Sequence, residues 1–134
     1  MAGPTLAFFA SVVAMPKKLQ PVGFFSDLPH GDATAPPLSA VLGRMCAPDS
    51  VKIAAYLHAG APFIVAPQRV GDVLNPDSRF ATTLGVLTDG AWAWPTDLGH
   101  YVLTYAVDLP AAFVDHVRAC NYQIGAVDVT ALVL

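Results

Sequence analysis

The hydrophobic pattern of the chain is clearest on either side of Asp89-Gly90. A largely apolar run from Leu84 to Thr88 precedes this pair, and another from Ala91 to Trp94 follows it. An Asp-Gly pair between two such runs is typical of a β-hairpin with a type I′ turn, in which both central residues have φ > 0. Trp92 and Trp94 are two residues apart, so we expect both indoles on one face of the second strand.

Three segments instead repeat their apolar residues with the three-to-four-residue period of a helix. The first covers residues 50–59, with Asp49 as its N-cap and Gly60 as its C-terminal stop. The second is capped by Thr96, and the third begins near Pro110. The apolar stripes are Leu98, Tyr101, Val102 and Tyr105 in the second helix, and Phe113, Val114, Val117 and Cys120 in the third.

The remaining segments carry weaker signals. We expect a helix over residues 38–46, ended by Ala47-Pro48, and a short strand over residues 62–67, which a proline bounds at each end. Residues 68–74 indicate a short helix. The apolar residues 126–134 indicate a last strand or a docked tail.

These elements predict an α+β domain over residues 19–134. It holds a small, mainly antiparallel sheet with the Asp-Gly hairpin, and three to four helices pack on that sheet. Residues 1–18 are predicted to form an N-terminal extension. Its apolar run TLAFFASVVA, residues 5–14, is too short for a transmembrane helix, which needs about 20 residues.

The extension admits several interpretations. Its length and small residues fit a signal peptide, but no Lys or Arg precedes the apolar run and Lys17-Lys18 follow it. The alternation of bulky and small side chains also fits a strand, and the apolar run would suit membrane contact or self-association. Met15 is a further candidate start, which would leave residues 1–14 outside the native protein.

Composition narrows the class of protein. Hydrophobic residues make up 54% and charged residues 13% of the chain, against about 45–50% and about 25% in average globular domains. Such a chain either buries much of its surface or offers apolar surface to a partner. The net charge is −3, and no basic cluster extends beyond Lys17-Lys18, so nucleic-acid binding has little electrostatic support. Cys46 and Cys120 are typical of reduced cytoplasmic thiols, although their spacing leaves a disulfide open.

Candidate chemistry is limited to pairs of residues. Asp97 and His100 are three apart on the second predicted helix, and His116 lies on the third. Two antiparallel helices would bring both histidines into a metal or acid–base site, whereas the simpler interpretation leaves them as separate helix residues. Cys120 follows His116 by four residues, but its place on an apolar stripe favours an inert core thiol over a nucleophile. We therefore predict no catalytic residues, no metal and no cofactor.

Two motifs give the chain a recognisable signature. Residues 87–98 read L-T-D-G-x-W-x-W-P-x-D-L, and residues 105–116 read Y-x-V-x-L-P-x-x-F-x-x-H. With GFFSDLPHG at 23–31 and IAAYLHAG at 53–60, they resemble a family of small actinobacterial proteins across residues 19–123. The resemblance implies an immunity-like or accessory interaction protein and carries no defined activity. Gly99-His100 stand where that family often has a second aromatic residue.

The aromatic residues of this signature allow two interpretations. They either anchor an interface or join the hairpin to the following helix in the core, and we favour the core with an edge left for a partner. We predict a cytoplasmic, non-catalytic module that binds another protein or itself. Its interaction or pocket candidates are Trp92, Trp94, Asp97, His100, Tyr101, Tyr105 and His116. The alternative is a small enzyme or ligand-binding protein with a pocket near Trp94, Asp97, His100 and Tyr101.

Overall fold

The computed structural model describes residues 17–134, which form the predicted α+β fold. The elements in chain order are β1 (Lys17–Lys18), β2 (Gln20–Pro21), α1 (Ala47–His58), β3 (Ala61–Gly71), β4 (Ala81–Thr88), β5 (Trp92–Pro95), α2 (Leu98–Tyr105), α3 (Ala111–Ala119) and β6 (Leu132–Val133). Short 3₁₀ helices cover Leu38–Ala40 and Val129–Ala131. The alternatives for residues 1–14 fall outside the described residues, whereas Lys17 and Lys18 form β1.

The main sheet has the strand order β2-β5-β4-β3. Strand β5 runs parallel to β2 and antiparallel to β4, while β3 runs antiparallel to β4 and ends the sheet. A second, two-stranded sheet pairs β1 with β6 in parallel. The expected last strand in the apolar tail is therefore present as the two residues of β6.

The pleat of the sheet separates two cores. Leu87 pairs with Trp94, and both pack toward the helices in the larger core. Their neighbours Val86 and Ala93 lie on the opposite face, in a smaller core closed by Leu19. Successive side chains of a strand point to opposite faces, so one short hairpin contributes to both cores.

Trp94 is at the centre of the larger core. It is fully buried, its Nε1 donates to the carbonyl of Leu57 at 3.0 Å, and its ring lies 5.8 Å from that of Phe113 and 6.0 Å from that of Tyr56. A Cβ on Gly60 would lie 2.7 Å from the indole, so the chain leaving α1 passes Trp94 without a side chain. For Trp94, the core interpretation is confirmed.

The Asp-Gly hairpin is confirmed, but the predicted type I′ turn is wrong. Three residues, 89–91, link β4 to β5, and of these Gly90 alone has a positive φ, 96°. Asp89 is not in the positive-φ region, and its Oδ1 accepts hydrogen bonds from the backbone N–H groups of Ala91 (2.9 Å) and Trp92 (2.7 Å), as in an Asx turn. The hydroxyl of Thr88 also closes the loop, since it donates to the carbonyl of Trp92 at 2.7 Å and accepts from Gly90 N at 3.0 Å.

Helix α1 is confirmed but begins at Ala47 instead of Ser50. Pro48 lies in the first turn, where backbone N–H groups have no hydrogen-bond partner within the helix. The missing N–H of proline therefore costs nothing there, and Ala47-Pro48 does not break the helix. Asp49 consequently lies within the first turn, and the N-cap is Cys46.

The helix predicted over 38–46 is wrong beyond its first turn. After Leu38–Ala40 the backbone turns at Gly43, where φ is 67°. Gly43 N then donates to the carbonyl of Tyr105 at 2.9 Å, and Arg44 N donates to that of Ala106 at 3.0 Å. The two amides and the two carbonyls at the C-terminal end of α2 thus satisfy one another, and this tertiary contact replaces the helix in this segment.

The helix predicted over 68–74 is also wrong, because β3 continues through this region. Arg69 pairs with Thr83, and Val70 pairs with Thr82. Strand β4 begins at Ala81 instead of Leu84, and β3 continues beside its added residues. Thr96 does not cap α2, since its Oγ1 donates to the carbonyl of Thr83 at 2.7 Å. The N-cap of α2 is Asp97, and its side chain makes no capping hydrogen bond.

The predicted helix near Pro110 is present as α3, which begins at Ala111 with Pro110 as its N-cap and buries Phe113 and Val117. Asn121 follows it in the left-handed region, with φ of 56°. Among residues 17–134, no helix has the length and apolar character that a membrane crossing requires.

Candidate functional site

Three of the four histidines pair with buried aspartates. The Nε2 atoms of His30, His100 and His116 lie 3.1, 2.7 and 2.9 Å from a carboxylate oxygen of Asp97, Asp72 and Asp89, respectively. The three carboxylates are 1–2% exposed. Partners in these pairs are 67, 28 and 27 residues apart in sequence. Local spacing therefore contained no signal for them, and the predicted Asp97–His100 pair is not formed.

The pair at the end of β3 is the most connected. Oδ2 of Asp72 accepts hydrogen bonds from His100 and from the hydroxyl of Tyr105, each at 2.7 Å. Its Oδ1 accepts from the backbone N–H groups of Leu74 (2.8 Å) and Asn75 (3.1 Å). Four donors on one carboxylate hold the chain leaving β3 against α2.

Aromatic contacts complete this cluster. The ring of Phe80 stacks on His100 at 3.7 Å with an interplanar angle of 5°. The hydroxyl of Tyr101 accepts from Val73 N at 2.9 Å and lies 3.3 Å from the carbonyl of Gly71. His100, Tyr101 and Tyr105, three predicted site residues, are thus brought together.

The electrostatics of this cluster favour an ionised Asp72 beside two neutral tyrosines. Burial opposes ionisation of Asp72, but the hydrogen bonds from His100, Tyr105 and Leu74 N outweigh it and hold the pKa below its ordinary value. Burial raises the pKa of Tyr101 to about 12. The bond to Asp72 raises the pKa of Tyr105. Neither hydroxyl is a base near neutral pH.

A second cluster surrounds the hairpin loop. Oδ2 of Asp89 accepts hydrogen bonds from the hydroxyl of Tyr56 and from Nε2 of His116. Burial and the bond to Asp89 raise the pKa of Tyr56. The thiol of Cys120 lies 3.8 Å from the same Nε2 of His116.

This arrangement differs from that of a cysteine nucleophile. In a nucleophile–histidine–carboxylate site, the carboxylate and the nucleophile bind opposite nitrogens of the imidazole ring. Here Asp89 and Cys120 both approach Nε2 of His116, so the nitrogen nearest the thiol already serves the carboxylate. This geometry instead fits a structural role, in which the bond between His116 and Asp89 holds the hairpin loop against α3.

The third pair joins the turn at His30 to the start of α2. Nε2 of His30 lies 3.1 Å from both carboxylate oxygens of Asp97. Nδ1 of His30 is buried and has no hydrogen-bond partner within residues 17–134. Sequence reasoning singled out Asp97 but not His30, which lies in GFFSDLPHG, a segment without a chemical signature.

The predicted site residues divide between core and cluster. Trp94, Tyr101 and Asp97 are buried, and Trp92 is half-buried against Phe113. His100 and His116 serve different aspartates, so the site in which they would meet is not formed. Within residues 17–134, no group of three or more His, Cys, Asp or Glu side chains has an arrangement suited to a metal ion.

The most exposed apolar side chains of the sheet belong to β3. Val65 is 74% exposed and Ile64 is 45% exposed. They lie between Pro62 and Pro67, on the strand that ends the main sheet. We call residues 63–66 the edge window. The pairing of β3 with β4 is irregular on either side of Ile64 and Val65.

A cavity of about 490 Å³ lies beside the C-terminal half of the same strand. Its walls include His30, Arg69, Val70, Val73 and Leu84. The edge window and this cavity are thus neighbours along β3.

Comparison of the chain with family models, curated proteins and solved structures finds no match. The functional argument therefore depends on the geometry of these residues.

Proposed function

We propose that this protein is a non-catalytic interaction module that binds a short, extended, apolar segment of another protein along the edge window of β3. The observation that carries the proposal is the exposure of Ile64 and Val65 on a strand that has no second hydrogen-bonded strand beside it within residues 17–134.

The main chain of β3 supplies the recognition chemistry. A strand at the edge of a sheet presents unpaired N–H and C=O groups, to which an extended peptide can add as a further strand. Ile64 and Val65 are adjacent, so their side chains belong to opposite faces of the strand. The added peptide would therefore place apolar residues against both of them.

The prolines explain why the window is short. Pro62 and Pro67 lack the N–H that a new ladder would use, and the bulges in the pairing with β4 twist the strand. Such features protect an edge from indiscriminate pairing. The prolines and bulges of β3 leave room for a partner that contacts about four residues. They also disfavour a continuous sheet between copies of this chain.

The histidine–aspartate pairs support a binding role because each one fastens a segment of the fold. Asp72 holds the turn after β3, Asp89 holds the hairpin loop, and Asp97 holds the turn at His30. Their hydrogen bonds are used in positioning backbone and neighbouring side chains.

We extend the proposal to an immunity-like or accessory role in an actinobacterial cytoplasm, which the resemblance at residues 87–98 and 105–116 implies. The free thiols of Cys46 and Cys120 support a reducing compartment. A toxin-like gene beside the coding gene would favour immunity, and a biosynthetic cluster would favour an accessory role.

Selection from a random heptapeptide library against the full chain tests the binding role. We expect the selected peptides to alternate apolar residues and to lack central prolines. Replacing Val65 with Lys should weaken their binding at least tenfold, because the charge would lie against the apolar peptide. Leu103→Lys is the matched control, since Leu103 is exposed on α2, away from the edge.

A backbone-methylated version of a selected peptide separates strand addition from simple apolar contact. Methylation of an amide that faces β3 removes one ladder hydrogen bond and should abolish binding. Equal binding of methylated and unmethylated peptides, or equal losses for Val65→Lys and Leu103→Lys, would contradict the proposal.

A further inference from the structure

The cavity beside β3 combines apolar walls with a small number of polar groups. It lies between the turn that carries His30 and residues 68–71 of β3, and its volume is about 490 Å³. Val70, Val73 and Leu84 give it an apolar lining, while Gln68 and Arg69 supply polar groups. Volumes of about 300–1,000 Å³ with few polar contacts are typical of small-molecule sites.

Arg69 supplies a positive charge that the fold does not use. Its guanidinium donates to the carbonyl of Ala81 at 3.3 Å, and it forms no salt bridge within residues 17–134. Arg118, by comparison, is held by the carboxylate of Asp49 at 2.8 Å. An arginine beside an apolar cavity, with most of its donors uncommitted, is suited to an anionic ligand.

His30 contributes its ring to the wall of the cavity. Its Nε2 hydrogen-bonds to Oδ1 of Asp97 at 3.1 Å, while its buried Nδ1 and Oδ2 of Asp97 have no hydrogen-bond partner within residues 17–134. Because Nδ1 is buried, the groups that can bind the polar end of a ligand are Arg69 and Gln68. Arg69 brings to this lining a positive charge that no carboxylate of residues 17–134 balances.

We propose that this cavity binds a small monocarboxylate with an apolar body. The carboxylate binds the guanidinium of Arg69, the side-chain amide of Gln68 donates a further hydrogen bond, and the hydrocarbon part packs on Val70, Val73 and Leu84. A single uncompensated cation matches one negative charge, which favours a monocarboxylate over a phosphate dianion. This site is separate from the edge window and goes beyond the proposed function.

Calorimetric titration of the full chain with hexanoate tests the site, with hexan-1-ol as the uncharged counterpart. We expect hexanoate to bind at least tenfold more tightly than hexan-1-ol. Arg69→Gln should weaken hexanoate binding at least tenfold. Arg44→Gln is the matched control, because it removes the same charge from an exposed residue outside the cavity lining.

Imidazole nitrogen resonances provide a readout in the unmodified protein. Hexanoate should shift the ring nitrogens of His30 and leave those of His116 unchanged, since His116 lies against Asp89 in the hairpin cluster. Val65→Lys should leave hexanoate binding unchanged, which separates this site from the peptide-binding edge. Acetylated trivaline with a free terminal carboxylate should bind more weakly than hexanoate.

Three results would overturn the inference. The first is the absence of saturable hexanoate binding at millimolar concentration. The second is equal binding of hexanoate and hexan-1-ol, or equal losses in Arg69→Gln and Arg44→Gln, since the carboxylate would then play no specific part. Tighter binding of the acetylated peptide is the third, because the cavity would then recognise a chain terminus.

Discussion

β5 contains four residues between two neighbouring strands, whereas β3 contains eleven and has β4 as its neighbour within residues 17–134. β5 supplies Trp94, the largest fully buried side chain of the core, while no residue of β3 is classed as buried. Both strands are rich in apolar residues. The comparison shows that position in the sheet, more than strand length or hydrophobicity, decides which strand stabilises the fold and which is available to a partner.

Substitution of Trp94 with Ala should produce the largest difference between the two strands. It empties the space between Tyr56 and Phe113 and removes the indole donor from the carbonyl of Leu57, which keeps the longer bond from Gly60 N at 3.3 Å. We expect a loss of about 3–5 kcal/mol in the free energy of unfolding, measured by urea denaturation. Val65→Ala should change it by less than about 0.5 kcal/mol. Similar losses in both variants would remove the distinction between core strand and edge strand.

Gly85→Ala tests how β3 is attached to its neighbour. A Cβ at position 85 would lie 2.5 Å from the carbonyl oxygen of Ile64, which is backbone and has to move. We expect a loss of about 1–3 kcal/mol in stability, by analogy with overpacked sites. Hydrogen exchange should accelerate in β3 and remain slow in β5.

Gly125→Ala is the control for this effect, because a Cβ there meets nothing within 4 Å. It should leave both stability and exchange nearly unchanged. Equal acceleration of exchange in β5 and β3 after Gly85→Ala would show that the two strands unfold as one unit.

Asp72→Asn should have a smaller effect than Trp94→Ala, on the order of 1 kcal/mol near neutral pH, because the amide keeps one acceptor oxygen for the turn after β3. Folding lowers the pKa of Asp72, so its carboxylate stabilises the protein at pH values above its ordinary pKa of 3.8. That contribution is lost as the pH falls through the lower pKa of the folded state.

The pH dependence of this difference is measured by urea denaturation of both proteins between pH 7 and pH 2. The difference in unfolding free energy between wild type and Asp72→Asn should shrink below about pH 4. A difference that stays constant, or grows as the pH falls, would mean that the ionised carboxylate does not hold the end of β3.

The predictable parts of this fold are those whose partners are close in sequence. The hairpin at Asp89-Gly90 and the stripe of Leu98, Tyr101 and Val102 follow from local spacing. The fate of residues 38–46 could not be predicted, because Gly43 and Arg44 bind carbonyls at Tyr105 and Ala106. Such contacts between distant segments override a weak helical preference.

The candidate site was predictable only in its residue types. His100, Tyr101 and Tyr105 lie close together, as their helical spacing requires, but their common partner Asp72 precedes His100 by 28 residues. His30 had no signal, because its role depends on Asp97, 67 residues away. The edge window also escaped prediction, since the apolar run at 62–67 gives no indication of which strands have one neighbour and which have two.

The two tryptophans occupy different surroundings although they are two residues apart. Trp94 is sealed in the core with its indole N–H bonded to a carbonyl, whereas Trp92 is half-buried, 6.5 Å from the ring of His116. The protein therefore contains two intrinsic optical reporters. The emission of Trp94 follows the integrity of the core, and that of Trp92 follows the hairpin loop. Comparison of the wild type with Trp92→Phe, which keeps the core tryptophan in place, therefore separates opening of the loop from melting of the core.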